Sequence, residues 1–455
     1  MSLKCRKWQK GSRICKCVQT EDGYYGCQSY IEIPSVNDIL ADSQKKERQK
    51  YIDDIKKSIR EDQVALVLGA GISKPCKMPL WGPLISKMMG YAIQYDIIGK
   101  EHPRLYEKDS FERKRLLTQS QDLISGDLSL LGKVNALEAA EYVAQLFDID
   151  ADSRYLRQKL EEGAIGRMVH QIIDESMTPK ELLCDDLTDL KDVKDSIINK
   201  GLSPVQAVKD FGASKVAAQN TMFAVSYLLS SDNGIRRAMT YNYDPLVQEH
   251  MMDLYGLDSS QLLTHPGKWG ESIVGKADLR EIYHVHGFVA GHRHLEKNYK
   301  EVFPEKSGPL VLSEDSYYRI ERNEAYNWSS SIQSNFLNKY QCVFIGFSAE
   351  DFNFRRILRQ MGDKPTKKSP HYLILVINDW ISNFYEDVCQ SCLKKNKKEN
   401  KKMTSLMVDN IAADATLLLQ YALECRAAYW RRFNICPVWV TSNEISGLLA
   451  GLIDP

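Results

Sequence analysis

Residues 64–73 read VALVLGAGIS, a run of five apolar residues that ends in a glycine-rich loop. A short apolar run closed by glycine is typical of a strand that is covered on both faces of a parallel sheet. A helix is predicted from Trp81 onward. Glycine in such a loop lets the backbone approach a pyrophosphate closely, and N–H groups at a following helix start can hold its charge. The stretch therefore predicts a nucleotide-binding loop at the end of a buried strand.

The loop departs from the full dinucleotide-binding fingerprint, because Lys74 stands where the third glycine is required. A glycine pair after a strand is equally compatible with a simple tight turn. Both interpretations stay open on the loop alone.

Other strand-like runs predict the rest of the sheet. They lie at 235–240, 282–285, 309–312, 342–345, 372–377 and 437–440. Helix-like stretches separate many of them, and strands that alternate with helices predict an α/β fold. We expect a Rossmann-like, doubly wound, mainly parallel sheet.

Composition along the chain predicts four segments. Residues 1–34 form a cysteine- and lysine-rich arm, and 35–99 form the first part of the sheet domain. Residues 100–234 show helix-period segments and few strand signals, which predicts a large, mostly helical insertion. Residues 235–455 complete the sheet domain.

Overall charge gives no case for a nucleic-acid or anionic-membrane partner, because 60 basic residues balance 60 acidic ones. The amino-terminal residues lack the apolar core of a signal peptide, and no apolar run approaches the length that spans a bilayer. We therefore expect a cytoplasmic protein. Eleven scattered cysteines do not resemble a secreted disulfide framework, so reduced thiols are expected.

A second polar strand end is the sequence TYNYD at 240–244. The carboxyl ends of parallel strands line the ligand crevice of α/β sheets, so Asn242 and Asp244 are candidate functional residues. Asp244 alone is equally explained as a helix cap.

A third strand end carries His286 followed by Gly287. A histidine that titrates near neutral pH can accept a proton from a ribose hydroxyl, and glycine beside it leaves room for a sugar. His284 is the structural competitor on the same strand, and a lone histidine favours a hydrogen-bonded structural role.

A fourth strand end, in VFIGFSAEDFNF, repeats the logic of the first. Gly346 allows close approach of the backbone, while Ser348 and Asp351 supply small polar groups at a helix start. These three residues are candidates for contact with a bound nucleotide.

The four strand ends together resemble the sirtuin superfamily over residues 64–90 and about 235–377. The resemblance rests on four motifs that occur in this order: Gly-Ala-Gly-Ile-Ser, Thr-x-Asn-x-Asp, His-Gly and Gly-Phe-Ser. The resemblance implies that Gly69, Ala70, Gly71, Ile72 and Ser73 bind NAD. It also implies that Asn242 and Asp244 act on the nicotinamide-ribose side, that His286 is the catalytic base, and that Gly346, Ser348 and Asp351 help to hold the cofactor.

Protein-deacylating sirtuins carry a four-cysteine zinc module after the catalytic histidine, but residues 287–341 contain no cysteine. No metal is therefore expected in catalysis. The cysteines of the arm and the single C-x-x-C at 389–392 lack paired zinc spacing. Because it lacks the zinc module and carries the FIGFS sequence, the chain resembles the sirtuin-like NADases of prokaryotic antiviral defence, also called abortive infection. Those enzymes deplete NAD and act as homo-oligomers or with a sensor or HerA-type ATPase partner.

The resulting prediction is an NAD glycohydrolase that releases nicotinamide and ADP-ribose. Asn242 would orient the ribose or the attacking water, His286 would act as the base, and Asp244 would support the loop of Asn242. Two alternatives remain at this stage. One is an NAD-dependent protein deacylase or ADP-ribosyltransferase, and the other is a non-catalytic subunit that binds NAD or ADP-ribose.

Overall fold

The structure of the protein is a computed structural model, which describes part of the chain. The described residues are 17–20, 23–27, 35–76, 78–80, 82–90, 139–140, 196, 199–265, 279–289, 301–303, 311, 324–347, 352–361, 369–378, 380–381 and 405–454.

In chain order, the strands are β1 (Cys17–Thr20), β2 (Gly23–Cys27), β3 (Val64–Leu68), β4 (Arg237–Thr240), β5 (Leu262–His265), β6 (Arg280–His284), β7 (Gln341–Ile345), β8 (His371–Val376) and β9 (Ile435–Val440). The helices are α1 (Val36–Ile39), α2 (Asp42–Arg60), α3 (Pro204–Phe211), α4 (Ala213–Ala217), α5 (Thr221–Ser230), α6 (Leu246–Tyr255), α7 (Glu324–Lys339), α8 (Phe352–Met361), α9 (Ser405–Arg431) and α10 (Ile445–Ala450). Residues 82–90 are also helical, as the sequence predicts after Trp81.

The chain divides into two compact units. One comprises residues 1–56 and 365–448, and the other comprises 57–364 and 449–455. The four segments predicted from composition stay a prediction.

The second unit contains parallel strands in the order β5-β6-β4-β3-β7. After β3 the chain places β4, β5 and β6 on one side of β3, with β6 between β4 and β5, and it then places β7 on the other side. The strand order therefore reverses at β3. In open parallel sheets, ligands bind beyond the carboxyl ends of the strands at such a reversal.

β3 is an inner strand, between β4 and β7, and it is buried along its whole length. Its apolar sequence therefore covers both faces of the sheet, as the run VALVL predicts. The Rossmann-like α/β fold is confirmed. The runs at 235–240, 282–285 and 342–345 correspond to β4, β6 and β7, with ends shifted by up to two residues.

β5 is a strand that the sequence did not predict. It has four residues, with Leu262 and Thr264 buried and the two residues between and after them half-buried. So short an alternation at the edge of a sheet gives too weak a signal to stand out. Of the predicted run 309–312, only Val311 belongs to the described residues, and it is not in a strand.

In the first unit, β8 and β9 are parallel, with His371 beside Ile435 and Val376 beside Val440. The runs predicted at 372–377 and 437–440 are therefore strands. α9 lies between them in sequence. Its buried residues pack with α1 and Trp439 in one apolar cluster. In the arm, β1 and β2 form an antiparallel pair.

Of the predicted insertion at 100–234, the structure describes 139–140, 196 and 199–234, where α3, α4 and α5 lie. α3 begins after Ser203, whose side chain caps it. Phe223 and Leu254 share an apolar cluster with residues of α3 and α4.

Cys76 is disulfide-bonded, so the expectation of reduced thiols is wrong at this position.

Candidate functional site

The register of the sheet brings the predicted polar residues to one edge. Thr240, the last residue of β4, lies beside Leu68 on one side and beside His284 on the other. Asn242 and His286 each follow their paired strand residue by two positions. Both therefore emerge from neighbouring strands at the same height, beyond the carboxyl ends.

Ser73 connects the glycine-rich loop to the segment after β4. Its hydroxyl accepts a hydrogen bond from Asn242 Nδ2 at 3.0 Å and donates one to Asp244 Oδ1 at 3.2 Å. Ser73 is 1 % exposed, so water does not compete with these bonds. One hydroxyl group thus fixes the side chains of both predicted catalytic residues on this strand end.

Asn242 keeps one hydrogen-bonding atom for a ligand. Its backbone N–H donates to Thr240 Oγ1 at 3.1 Å, and its amide nitrogen is held by Ser73. In the described part of the chain, Asn242 Oδ1 is buried and has no hydrogen-bond partner. A buried acceptor without a protein partner is costly, and a bound water or a ligand would supply its donor. The orientation of this amide offers the oxygen to a hydroxyl group or a water molecule.

Asp244 is a buried carboxylate at the start of α6. Burial raises its pKa from 3.8 to about 6, while hydrogen bonds from the Leu246 N–H and from Ser73 oppose the rise. The Leu246 N–H donates to Asp244 Oδ1 at 3.3 Å, so the carboxylate satisfies one N–H group at the start of α6, although the N-cap residue is Pro245. The same carboxylate therefore supports both the start of α6 and Ser73.

His284 has a structural role. It is fully buried, and its Nδ1 lies 2.8 Å from the carbonyl oxygen of Asn242. Because a carbonyl oxygen only accepts, Nδ1 carries the proton, and Nε2 accepts from Gln248 Nε2 at 2.7 Å. Burial lowers the pKa of His284 to about 4, so the ring is neutral at physiological pH. His284 therefore holds the backbone of the Asn242 segment.

His286 lies directly after the sheet and is 5 % exposed. Its ring packs edge-on against Tyr241, with the ring centres 4.7 Å apart. Gly287 follows with φ +95°, a left-handed conformation that favours glycine. The glycine is needed here because the chain turns back, and its N–H donates to the His284 carbonyl at 3.2 Å.

A buried polar chain supports His286 from α7, and the sequence analysis missed it. Tyr241 Oη donates to Gln333 Oε1 at 2.6 Å, Gln333 Nε2 donates to Ser329 Oγ at 3.0 Å, and Ser329 Oγ donates to the Val285 carbonyl at 2.7 Å. The chain begins at the ring beside His286 and ends one residue before it. Its only sequence signal is a polar pair spaced i, i+4 on a helix face shared with aromatic residues.

The glycines of the two loops allow the loops to pack against each other. Gly69 and Gly71 donate their N–H groups to the Ile345 and Gly346 carbonyls at 3.0 and 2.9 Å. A Cβ atom on Gly69 would lie 2.5 Å from Gly346 O. Gly346 itself has φ +61°, and a Cβ atom there would lie 2.5 Å from Ile72 N. Close loop contact thus explains these glycines without a ligand.

The same bonds limit how loop 69–73 can hold a phosphate. The N–H groups of Gly69, Gly71, Ile72 and Ser73 all donate to backbone carbonyls. Within this loop the Ala70 N–H is left, and Ala70 and Gly71 reach the surface while Ile72 is buried. The two other cofactor candidates, Ser348 and Asp351, lie outside the described residues.

No group of three or more His, Cys, Asp or Glu side chains in the described part of the chain is placed to hold a metal ion. The described helices also include none with the length and apolar character needed to cross a membrane.

Comparison with protein families gives one match. Residues 236–400 match the family model of the SIR2-like domain, which is less than half of the chain. The matched region includes Asn242, Asp244, His286 and Gly346 but not the loop 69–73. Curated proteins give no significant match. Residues 236–400 are thus similar to the SIR2-like domain, and the family comparison supports a sirtuin-like domain in this chain.

Proposed function

We propose that the protein hydrolyses NAD at the bond between nicotinamide and ribose. The observation that carries the proposal is the Ser73 contact, which fixes Asn242 with Oδ1 unpartnered at the strand-order reversal. A ribose hydroxyl or a water molecule would supply the missing donor. The similarity of residues 236–400 to the SIR2-like domain supports NAD as the molecule that brings the ribose.

The reaction consumes one NAD and one water, and it gives nicotinamide, ADP-ribose and a proton. Nicotinamide leaves readily because it carries positive charge in NAD, so the site needs mainly to hold the ribose and stabilise an oxocarbenium-like state. Asn242 Oδ1 would accept from the ribose or the water. His286 would take the proton of the attacking water, as a general base does.

The remaining residues act by positioning. Asp244 fixes the hydroxyl of Ser73, and Ser73 fixes the amide of Asn242. His284 fixes the backbone of Asn242 through a hydrogen bond to its carbonyl oxygen. The unpartnered oxygen therefore keeps one orientation before substrate arrives, which reduces the reorganisation needed in the transition state.

The resemblance also suggests a setting for this activity. The protein would deplete cytoplasmic NAD in antiviral defence, and it would act as a homo-oligomer or together with a sensor or a HerA-type ATPase. These features are part of the proposal.

The test follows nicotinamide release from NAD by the purified full chain and, in cells that express it, the NAD content. We expect Asn242→Ala and His286→Ala each to lower turnover at least about a hundredfold. Asn338→Ala, an exposed asparagine in α7, and His265→Ala, at the end of β5, are the matched controls and should keep wild-type turnover.

Equal turnover in wild type, Asn242→Ala and His286→Ala would refute the assignment. Nicotinamide release that needs an added acylated peptide would instead favour a deacylase. Tight binding of NAD without turnover, in the purified protein and in cells, would favour a non-catalytic subunit.

A further inference from the structure

α9 is apolar on two opposite faces. Its buried stripe, Ala415, Leu419, Leu423 and Ala427, packs in the apolar cluster of the first unit. The opposite face carries large apolar side chains in contact with solvent. Leu417 is 65 % exposed, Leu418 is 54 % exposed and Tyr421 is 74 % exposed. A surface helix is expected to be apolar on one face, so the second apolar face requires its own explanation.

Exposure of this kind is concentrated on α9. Of the exposed large hydrophobic residues in the described part of the chain, only Val376 lies elsewhere. Tyr429, in the last turn of α9, is also 40 % exposed. Single exposed apolar residues are ordinary, but a contiguous group on one helix is typical of an interface.

The exposed face has the spacing of a coiled-coil seam. Alternate steps of four and three residues connect its members, all of which are exposed: Asp414, Leu418, Tyr421, Cys425 and Ala428 in α9, and Arg432 directly after its end. This is the spacing at which a helix presents one continuous stripe to a partner helix. We call these six residues the α9 seam. It extends over about 27 Å at the usual helical rise.

The α9 seam is complementary to itself when reversed. Consider two antiparallel copies of α9 related by a two-fold axis that crosses the helix at the level of Leu423, which itself lies on the buried face. In this register Asp414 of one copy lies opposite Arg432 of the other. In the same register, each large side chain meets a small one, since Leu418 faces Ala428 and Tyr421 faces Cys425. Opposite charges thus meet at both ends, and the apolar residues interdigitate between them.

We propose that the α9 seam is an interface between two copies of this chain, which pair their α9 helices antiparallel. An isologous interface requires one patch that fits itself, and both the charge pattern and the size pattern of the seam meet that requirement. A helix of another protein would need only an apolar stripe, without this symmetry. The proposed interface involves only the first unit and is independent of the proposed NAD hydrolysis.

The test is the mass of the full chain in solution, measured by light scattering and sedimentation. Wild type should contain pairs, and Tyr421→Lys should weaken pairing at least about a hundredfold by placing a charge at the centre of the seam. Asp414→Arg and Arg432→Asp should each raise the dissociation constant about tenfold, because like charges then meet twice in the pair. The double variant Asp414→Arg/Arg432→Asp should restore pairing to within about threefold of wild type.

Asp53→Arg, an equivalent change at an exposed site in α2, is the matched control and should leave the mass unchanged. Thermal unfolding of each variant checks that the fold is intact, as expected for exposed sites. A monomeric wild type overturns the proposal. So does a wild-type mass in Tyr421→Lys and both single charge variants, or a double variant that stays dissociated. A monomeric wild type that pairs with a different protein through α9 would assign the seam to that protein instead.

Discussion

Replacement of Asp244 by asparagine should make the protein more stable at alkaline pH while it impairs the site. Burial raises the pKa of Asp244 from 3.8 to about 6, which corresponds to roughly 3 kcal/mol against the charged form in the folded state. Asparagine keeps an oxygen that can accept from Leu246 N–H and Ser73 Oγ, and it carries no charge. The stability gain is therefore at most about 3 kcal/mol at pH 8.

The sign of the pH dependence follows from the raised pKa. Below about pH 4, both the folded and the unfolded state hold the proton, and the carboxyl group adds no penalty. Between pH 4 and pH 6 the folded state keeps a proton that the unfolded state has lost, so wild-type stability falls as pH rises. Above about pH 6 the penalty is complete. The stability gap between Asp244→Asn and wild type should widen by roughly 1.4 kcal/mol from pH 5 to pH 8.

Urea unfolding of both proteins at pH 5 and pH 8 measures this gap. Asp210→Asn, at an exposed aspartate of α3, is the control and should change the free energy of unfolding by less than about 0.5 kcal/mol. Nicotinamide release by Asp244→Asn should fall about tenfold, because Ser73 then faces a neutral acceptor and holds Asn242 less firmly. An Asp244→Asn protein that is less stable than wild type at pH 8, with a gap that does not change with pH, would refute the reasoning.

Two further predictions concern the supports of the site. His284→Asn keeps an N–H donor at the Nδ1 position toward the Asn242 carbonyl, whereas His284→Gln moves its amide one carbon away. In steady-state assays we expect kcat about tenfold lower in His284→Gln than in His284→Asn, with KM values within about twofold of each other. Equal kcat values would rule out positioning through that bond. Gly346→Ala should lower the free energy of unfolding by about 3 kcal/mol or more, because φ is +61° and the new Cβ would lie 2.5 Å from Ile72 N. Gly447→Ala in α10 is the control, since open space surrounds that position, and it should be neutral or stabilising. Urea unfolding measures both changes.

The sequence predicts the parts of the site that lie next to a strong strand signal. Asn242 and His286 follow apolar runs, so the rule that strand ends line the crevice was enough to select them. It could also name His284 as the structural competitor, but not its partners. Gln248 reaches His284 from the first turn of α6, where a polar residue looks like part of a solvated helix face in the sequence alone.

The contacts that organise the site are long-range, and single-sequence patterns do not encode them. Ser73 and Asp244 are 171 residues apart, and Tyr241 and Gln333 are 92 residues apart. The glycines illustrate the same limit. Their presence at strand ends predicts close approach of some group, but only the paired strands β3 and β7 show that the approaching group is the other loop.

The packing of Gly69 and Gly71 against Gly346 also has a consequence for synthesis of the chain. The first loop leaves the ribosome well before its partner, because β7 begins about 270 residues after the end of β3. At about 5 to 20 residues per second, the loop waits many seconds before β7 can pair with β3. The proposed hydrolysis of NAD would harm the cell that makes the protein if partial chains were active. Because the two loops pack against each other, a nascent or prematurely terminated chain lacks the finished site, and the order of translation would itself delay the proposed activity.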